Sequence, residues 1–205
     1  MTMKERMIQG KLYRVNEELR GELFRARKLL RLFNHSTEDQ MEYRTKLLKE
    51  LFGATGEDIY IEPTFRCEYG SNISVGNHFY ANFDCKILDV CPVTIGSNVM
   101  LGPQVGIYTP IHPLDAEVRS TLVEAGRPVE IGDDVWIGGS TVVNGGVTIG
   151  SGTVIGSGSV VTRSIPSGVL AVGNPCRVVR ELTEEDTAYW RRQKSEFDLA
   201  VETME

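Results

Sequence analysis

The stretch VEIGDDVWIGGSTVVNGGVTIGSGTVIGSGSVV, residues 129–161, decides the fold of this chain. An apolar residue recurs at every sixth position, glycine directly follows most of these residues, and a valine or threonine usually stands two positions before them. The series is Ile131, Ile137, Val143, Ile149, Ile155 and Val161. A strict period of six is typical of short strands joined by tight turns, in which each strand buries one face against its stacked neighbours.

Three hexapeptides make one triangular coil of about 18 residues, and successive coils lie about 4.8 Å apart, the ordinary spacing between strands. The same frame extends upstream with slips of two residues, through Ile61, Cys67 and Ile73, then Val75, Ala81 and Ile87, then Ile95, Leu101 and Ile107. Together the two blocks predict roughly five coils. We therefore predict a mainly β fold, a parallel β-helix with helices at both ends.

Composition and charge limit the possible functions. The chain has 205 residues, of which 41% are hydrophobic, and this suits one globular domain with appendages. A net charge of −6 disfavours a nucleic-acid partner. Because no apolar run approaches about 18 residues and the start MTMKERMIQG lacks an apolar signal core, we expect no membrane partner and a cytoplasmic location. The four cysteines form no CxxC pair, so we predict that they fill the core.

The chain divides into three segments. Residues 1–56 have apolar residues at helical spacing and form an N-terminal helical segment. Residues 57–178 form the β-helix, interrupted at 108–128 by a polar loop that contains three prolines and a histidine. A loop that breaks a rigid scaffold is a common place for function. Residues 179–205 form a C-terminal helix, which we expect to pack against the coils.

Six blocks of the sequence resemble the maltose and galactoside O-acetyltransferases, a branch of the hexapeptide acyltransferases. The blocks are MIQGKLY, FNHS, IEPTFRCEYGSNISVGNHFYANFDCKILDVCPVTIG, IHPLDAEVR, RPVEIGDDVWIGG and VGNPCRVVREL. The resemblance implies a left-handed β-helix and a homotrimer with active sites between neighbouring subunits. It also implies acetyl transfer from acetyl-coenzyme A to a hydroxyl group of maltose, glucose or a related sugar, without a metal. TFRCEYG, NFDC and LDVCP favour the maltose branch.

His112, in the IHPLD block, is the candidate general base. Acyl transfer to an alcohol needs a group that takes the hydroxyl proton, and imidazole, with an ordinary pKa of about 6.5, suits this task. No acyl-enzyme is required if both substrates are bound in line. Asn82 stands where other repeats carry the turn glycine, and two roles remain open. Asparagine tolerates a left-handed backbone; the resemblance instead implies a second catalytic group that stabilises the developing oxyanion or bonds the substrate.

The resemblance also implies contacts with the acceptor sugar and with the coenzyme. The expected substrate-binding residues are Asn16, Glu68, Asp84, Asp89 and Glu124, although related enzymes usually have an aspartate near position 16. Carboxylates suit polyol recognition because they accept hydrogen bonds from adjacent hydroxyls. Glu124 is included because it lies in the same loop as His112, not because of the resemblance. It could instead orient the imidazole or be a solvated charge of the loop. The expected coenzyme-binding residues are Trp136, Gly139, Ser157, Thr162, Arg163, Arg177 and Arg180, and arginine forks suit phosphate oxygens. Two alternatives stay open: Trp136 merely covers a coil edge, and the terminal basic residues form a solvated rim beside the last helix.

Other functions occur on such scaffolds. A metal-dependent enzyme of the carbonic anhydrase type needs three histidines that converge on one ion, and this chain has three in all, one of them in the helical segment. An acetyltransferase with a non-sugar acceptor and a non-catalytic binding module both remain alternatives, because fold alone does not fix function.

Overall fold

Short parallel strands stack into three sheets, which form the three faces of a prism. The computed structural model describes residues 1–202. The first face contains β1 (Ala54–Thr55), β4 (Ile73–Val75), β7 (Val93–Ile95), β12 (Val129–Ile131) and β15 (Thr148–Ile149). The second face contains β2 (Tyr60–Ile61), β5 (Tyr80–Ala81), β8 (Met100–Leu101), β13 (Trp136–Ile137), β16 (Val154–Ile155) and β18 (Val169–Val172). The third face contains β3 (Arg66–Cys67), β6 (Lys86–Leu88), β9 (Gly106–Tyr108), β14 (Val142–Asn144) and β17 (Val160–Val161).

The parallel β-helix predicted from the repeat is confirmed. The inward residues of the second face, such as Leu101 and Ile137, are almost completely buried, and so are the four free cysteines. Burying one such aliphatic side chain contributes about 1.5–3 kcal/mol, so the stacked column is a main source of stability. Two faces have five strands, as expected, but β18 adds a sixth parallel strand to the second face.

The slips in the upstream repeat have a structural cause. Ile61 aligns with Ala81, Ile137 aligns with Ile155, and Ile155 aligns with Ala171. A coil therefore has 20 residues before the inserted loop, 18 after it and 16 in the last turn. The corners between the first and second faces and between the second and third faces keep four residues throughout. The extra residues therefore lie at the corner between the third and first faces, in turns 68–72 and 89–92 and in the insertion 109–128. We call this corner the loop edge.

The N-terminal segment forms α1 (Met3–Ile8), α2 (Glu17–Asn34) and α3 (Met41–Leu51), which pack on the coils. Apolar residues of α2 and α3 join the central core. A separate buried cluster connects the N-terminal segment to the loop edge and consists of Met7, Tyr13, Leu19, Leu23, Tyr69 and Val90. No helix within residues 1–202 is long and apolar enough to span a membrane.

The C-terminal end differs from the prediction. The strand β19 (Arg177–Glu181) pairs antiparallel with β18 and crosses the predicted boundary at 178, while β1 lies inside the segment predicted to be helical. The helix α5 (Glu184–Glu202) follows, and none of its residues is buried. Trp190 is 68% exposed. The expectation that this helix packs against the coils of its own protomer is therefore wrong. Residues 203–205 of the predicted C-terminal segment lie outside the described residues.

Candidate active site

The insertion at the loop edge folds into a hairpin that brings His112 and Glu124 together. The hairpin strands are β10 (Pro110–Ile111) and β11 (Ala125–Gly126), which pair antiparallel. His112 directly follows β10 and Glu124 directly precedes β11, and His112 Nε2 lies 3.7 Å from Glu124 Oε2. This distance is too long for a hydrogen bond, but the two groups are close enough to attract once the imidazole carries a proton.

The turn after His112 is held by two residues that the sequence analysis did not single out. Asp115 caps the short helix α4 (Ala116–Ser120), accepting a hydrogen bond from Val118 N at 2.8 Å. The Arg119 guanidinium donates to the carbonyl oxygens of Pro113 at 2.8 Å and Leu114 at 3.1 Å. The available signal was the aspartate of IHPLDAEVR, directly before AEVR, since aspartate is a preferred N-cap.

We expect Arg119→Ala to lower kcat for acetyl transfer about 10-fold, because the turn that carries His112 loses two hydrogen bonds from a charged donor. The KM for the coenzyme should change less than twofold, since no contact with the coenzyme is attributed to Arg119. Steady-state kinetics of wild type, Arg119→Ala and the control variant Arg20→Ala would check this. Arg20 forms a surface ion pair with Glu17 at 2.8 Å and lies in α2. Equal rates for wild type and Arg119→Ala would contradict the role.

Open space surrounds His112 on two sides. A cavity of about 290 Å³ is lined mainly by apolar side chains, including Leu12, Ile111 and Val118. A second cavity of about 400 Å³ is lined by His112, Arg119, Leu122 and Glu124. The imidazole is thus accessible from an apolar side and from a charged side.

Glu68 lies at the loop edge beside α2. It lines a cleft of about 570 Å³ together with Arg27, Arg31 and Arg66. Burial raises the pKa of Glu68, and this effect is opposed by the positive charge of Arg27. The Glu68 carboxylate is also close enough to Glu124 for the two charges to repel. The structure therefore brings Glu68, Glu124 and His112 to one edge of one protomer.

Asp89 is also at the loop edge but faces the interior. Its side chain is completely buried. Its Oδ1 accepts hydrogen bonds from Glu68 N at 3.0 Å and Tyr69 N at 2.9 Å, and its Oδ2 accepts one from Asn72 N at 3.3 Å. This placement argues against the expected contact between Asp89 and a sugar, because both carboxylate oxygens bond the neighbouring turn of the backbone.

The other two expected sugar contacts are partly engaged. Asn16 is exposed, and its Oδ1 caps α2 by accepting a hydrogen bond from Leu19 N at 3.0 Å. Asp84 is half-buried and accepts a hydrogen bond from the Thr64 hydroxyl at 2.5 Å. Asp84 has a positive φ of 62°, whereas Asn82 is not among the described residues with positive φ. The left-handed backbone considered for Asn82 is therefore found at Asp84 instead.

Asn82 lies at the corner between the second and third faces, which we call the glycine edge. It occupies the same column as Gly102 and Gly138, and the N–H groups of these residues donate to carbonyls of the next coil. A Cβ atom at Gly138 would lie 2.5 Å from Ser157 N, so the close approach of the coils requires glycine there. Asn82 is half-buried, and it has a side chain where the next two residues of the column are glycines.

Three expected coenzyme-binding residues share this side of the molecule. Trp136 is 53% exposed on the second face, between Met100 and Val154 of the adjacent strands. Gly139 and Ser157 lie in successive turns of the glycine edge, where Gly139 O accepts a hydrogen bond from Gly158 N at 2.9 Å. The third face separates these residues from the loop edge. Within one described protomer, no contact joins His112 to Asn82.

The expected phosphate-binding residues lie at the C-terminal end of the stack. Thr162 and Arg163 follow β17, and Cys176 N, next to Arg177, donates to Val160 O at 2.8 Å. The Arg180 fork is already bound to Asp186, with N–O distances of 2.6 and 2.8 Å. This contact lowers the pKa of Asp186, and Arg180 would have to share its fork or release the carboxylate to bind a phosphate.

Across residues 1–202, no group of three or more histidine, cysteine, aspartate or glutamate side chains is placed to hold a metal ion.

Two family descriptions match the sequence. Residues 6–56 match the maltose acetyltransferase hexapeptide capping motif, and residues 128–163 match the bacterial transferase hexapeptide of six repeats. The first match covers the N-terminal helices and the second covers the coils after the insertion. The sequence therefore has both the N-terminal capping motif and the hexapeptide repeats.

Known proteins match nearly the whole chain. The galactoside O-acetyltransferase of Escherichia coli (strain K12) is 44% identical over 93% of this chain and 94% of its own length. A crystal structure of a maltose O-acetyltransferase from Clostridium difficile 630 is 52% identical, covers 89% of this chain and 98% of that chain, and superposes with a TM-score of 0.88. A structure of galactoside acetyltransferase in complex with coenzyme A is 44% identical, covers 91% and 94%, and also has a TM-score of 0.88. This chain belongs to the maltose and galactoside O-acetyltransferase family of hexapeptide-repeat proteins.

Proposed function

We propose that this protein transfers an acetyl group from acetyl-coenzyme A to a hydroxyl group of maltose, glucose or a related sugar. The observation that carries the proposal is the placement of His112 and Glu124, 3.7 Å apart on the hairpin between two cavities. Family membership supports it, because related proteins include a maltose and a galactoside acetyltransferase and one is bound to coenzyme A.

In the proposed reaction, one ring nitrogen of His112 takes the proton of the sugar hydroxyl as its oxygen attacks the thioester carbonyl carbon. The C–S bond then breaks, and the imidazolium returns its proton to the departing thiolate. Glu124 faces the other ring nitrogen and stabilises the imidazolium that exists between the two proton transfers. The gain arises from proximity and proton transfer, so no acyl-enzyme is required.

Asn82 is proposed to donate a hydrogen bond from its amide to the oxyanion that forms on the carbonyl oxygen. Since Asn82 is at the glycine edge and His112 at the loop edge, one protomer does not bring the two side chains together. We propose a homotrimer in which the loop edge of one subunit meets the glycine edge of the next, a heterologous contact that closes a ring.

For the ligands, we propose that Glu68, Asp84 and Asn16 contact the sugar. Glu68 lines the cleft beside α2, and carboxylates accept hydrogen bonds from paired hydroxyls. The coenzyme would pass Trp136, Gly139 and Ser157, and its phosphates would meet the basic residues at the end of the stack, Thr162, Arg163, Arg177 and Arg180.

The test of the activity is thiol release from acetyl-coenzyme A by wild-type protein and His112→Ala. The acceptors are maltose, glucose, galactosides, chloramphenicol and serine. Sugar-dependent release that disappears in the variant supports the proposal and ranks the acceptors. Release only with serine or chloramphenicol would replace the sugar by another acceptor class. No release, combined with no binding of coenzyme A, would overturn the enzymatic function.

Mixed trimers test whether each site is shared between subunits. His112→Ala and Asn82→Ala are each expected to be nearly inactive, but subunits of the two kinds, co-expressed in equal amounts, should recover about a quarter of wild-type activity. If the subunits assemble at random, a quarter of the subunit contacts join a subunit with intact His112 to a neighbour with intact Asn82. Separately purified variants, mixed without exchange, are the control. Recovery no greater than in that control would show that both residues act within one subunit.

A further inference from the structure

Tyr13 and Glu124 are 111 residues apart in the sequence and are joined by three hydrogen bonds. Tyr13 N donates to Glu124 O at 2.9 Å and Glu124 N donates to Tyr13 O at 3.2 Å, which makes an antiparallel bridge. The Tyr13 hydroxyl also donates to Glu124 Oε1 at 2.5 Å. Backbone and side chain of Glu124 are therefore both held by one residue of the N-terminal segment.

Tyr13 is itself firmly anchored. Only 2% of its surface is exposed, and it belongs to the buried cluster that includes Tyr69 and Val90 of the loop edge. The chain before Tyr13 also packs closely against the loop edge. A Cβ atom at Gly10 would lie 2.7 Å from Gly126 O, and the Cys91 thiol lies 3.1 Å from Met7 O. Because the Tyr13 ring is held in place, its hydroxyl can keep the Glu124 carboxylate in one position.

The two oxygens of Glu124 have different partners. Oε1 accepts the Tyr13 hydroxyl, which leaves Oε2 as the oxygen that faces His112. Burial raises the pKa of Tyr13 well above its ordinary value, and the hydrogen bond with Glu124 raises it further, so Tyr13 remains a donor throughout the working range of pH. The other ionisable groups near Glu124 are Glu68, Tyr69 and Arg119.

We propose that Tyr13 is a positioning residue for acetyl transfer: its hydroxyl fixes the rotation of Glu124, and Glu124 in turn holds a negative charge 3.7 Å from the His112 imidazole. The inference rests on the proposed function, in which His112 is the base. It goes further by assigning a role in the chemistry to the N-terminal segment. No other described residue donates a side-chain hydrogen bond to Glu124.

The first test is kinetic and has a matched control. Tyr13→Phe keeps the buried ring and removes only the hydroxyl, and we expect kcat to fall about 10-fold, as for the loss of one hydrogen bond to a carboxylate, while KM for acetyl-coenzyme A stays within about twofold. Tyr60→Phe removes a comparable bond, from the Tyr60 hydroxyl to Glu62 Oε1 at 3.0 Å, away from His112. It should leave kcat unchanged. A similar loss in both variants, or no loss in Tyr13→Phe, would overturn the proposal.

The second test needs no activity. The chain has only three histidines, so the ring signals of 13C,15N-labelled histidine can be assigned by substitution and followed by NMR at one fixed pH. We expect the His112 ring signals to move in Glu124→Gln, because the carboxylate that faces Nε2 is replaced by a neutral amide. Tyr13→Phe should move them in the same direction, since Oε2 is no longer held toward His112. Tyr60→Phe should not move them.

A double-mutant cycle separates positioning from general destabilisation. If Tyr13 acts through Glu124, adding Tyr13→Phe to Glu124→Gln changes neither the rate nor the His112 ring signals further; additive effects would contradict the proposal. If the wild type transfers no acetyl group, the proposed function fails, and the NMR spectra still decide whether Tyr13 positions Glu124. Should Tyr13→Phe not fold, 3-fluorotyrosine at position 13, a stronger donor, must move the His112 ring signals, and unchanged signals would refute the coupling.

Discussion

Replacing His112 with alanine is expected to lower kcat for acetyl transfer by about 10²- to 10⁴-fold, the usual contribution of a general base. His112 directly follows β10, and its ring is 61% exposed between two cavities, so the substitution leaves no core cavity. The free energy of unfolding should therefore stay near its wild-type value. Thiol release at saturating acetyl-coenzyme A and acceptor measures the rate, and urea unfolding measures the stability.

A matched pair of variants controls for loss of an imidazole as such. His112→Asn and His78→Asn make the same change at two exposed positions. His78 forms a coil turn with a φ of 54°, which asparagine tolerates, and lies 3.5 Å from Asp58. We expect the His78 variant to keep full activity. Retention of more than about a tenth of the rate in His112→Asn would exclude His112 as the base.

The regular part of the fold was predictable because one local rule repeats. The position of each inward residue, from Ile61 to Val161, follows from a period of six, since every coil buries the same column. The slips of two residues were also visible. Their assignment to the loop edge was not, because a one-dimensional pattern does not say which of three corners has lengthened.

The site was predictable only where its chemistry lies within one block of sequence. His112 and Asp115 belong to one motif, and their proximity is local. The contact between Tyr13 and Glu124 joins segments 111 residues apart, and no periodicity indicates it. The exposure of α5 was missed for a similar reason, because apolar residues such as Trp190 and Phe197 predict burial without identifying a partner.

Asp89 shows how a carboxylate near a site can act on stability. We expect Asp89→Ala to lower the free energy of unfolding by about 3–5 kcal/mol at pH 6, because three backbone N–H groups of the 68–72 turn lose their acceptor. Asp39→Ala, at an exposed aspartate that bonds Thr37, should have no comparable effect. Urea unfolding at one fixed protein concentration would compare the variants. A loss under about 1 kcal/mol for Asp89→Ala would contradict the expected cost of three unpaired donors.

The charge of Asp89 has the opposite effect on stability from its hydrogen bonds. Burial raises the pKa of Asp89 from 3.8 to about 7, and the N–H groups of Tyr69, Asn72 and Glu68 counter this only in part. Between these values the unfolded chain has already lost the proton that the folded chain keeps, so rising pH favours unfolding by at most about 1.4 kcal/mol per pH unit. Asp89→Asn does not titrate. We therefore expect wild type to lose stability relative to Asp89→Asn from pH 5 to 7 and to change little above pH 8. The reverse trend in urea unfolding would mean that the backbone donors outweigh burial and that the turn holds a carboxylate ion.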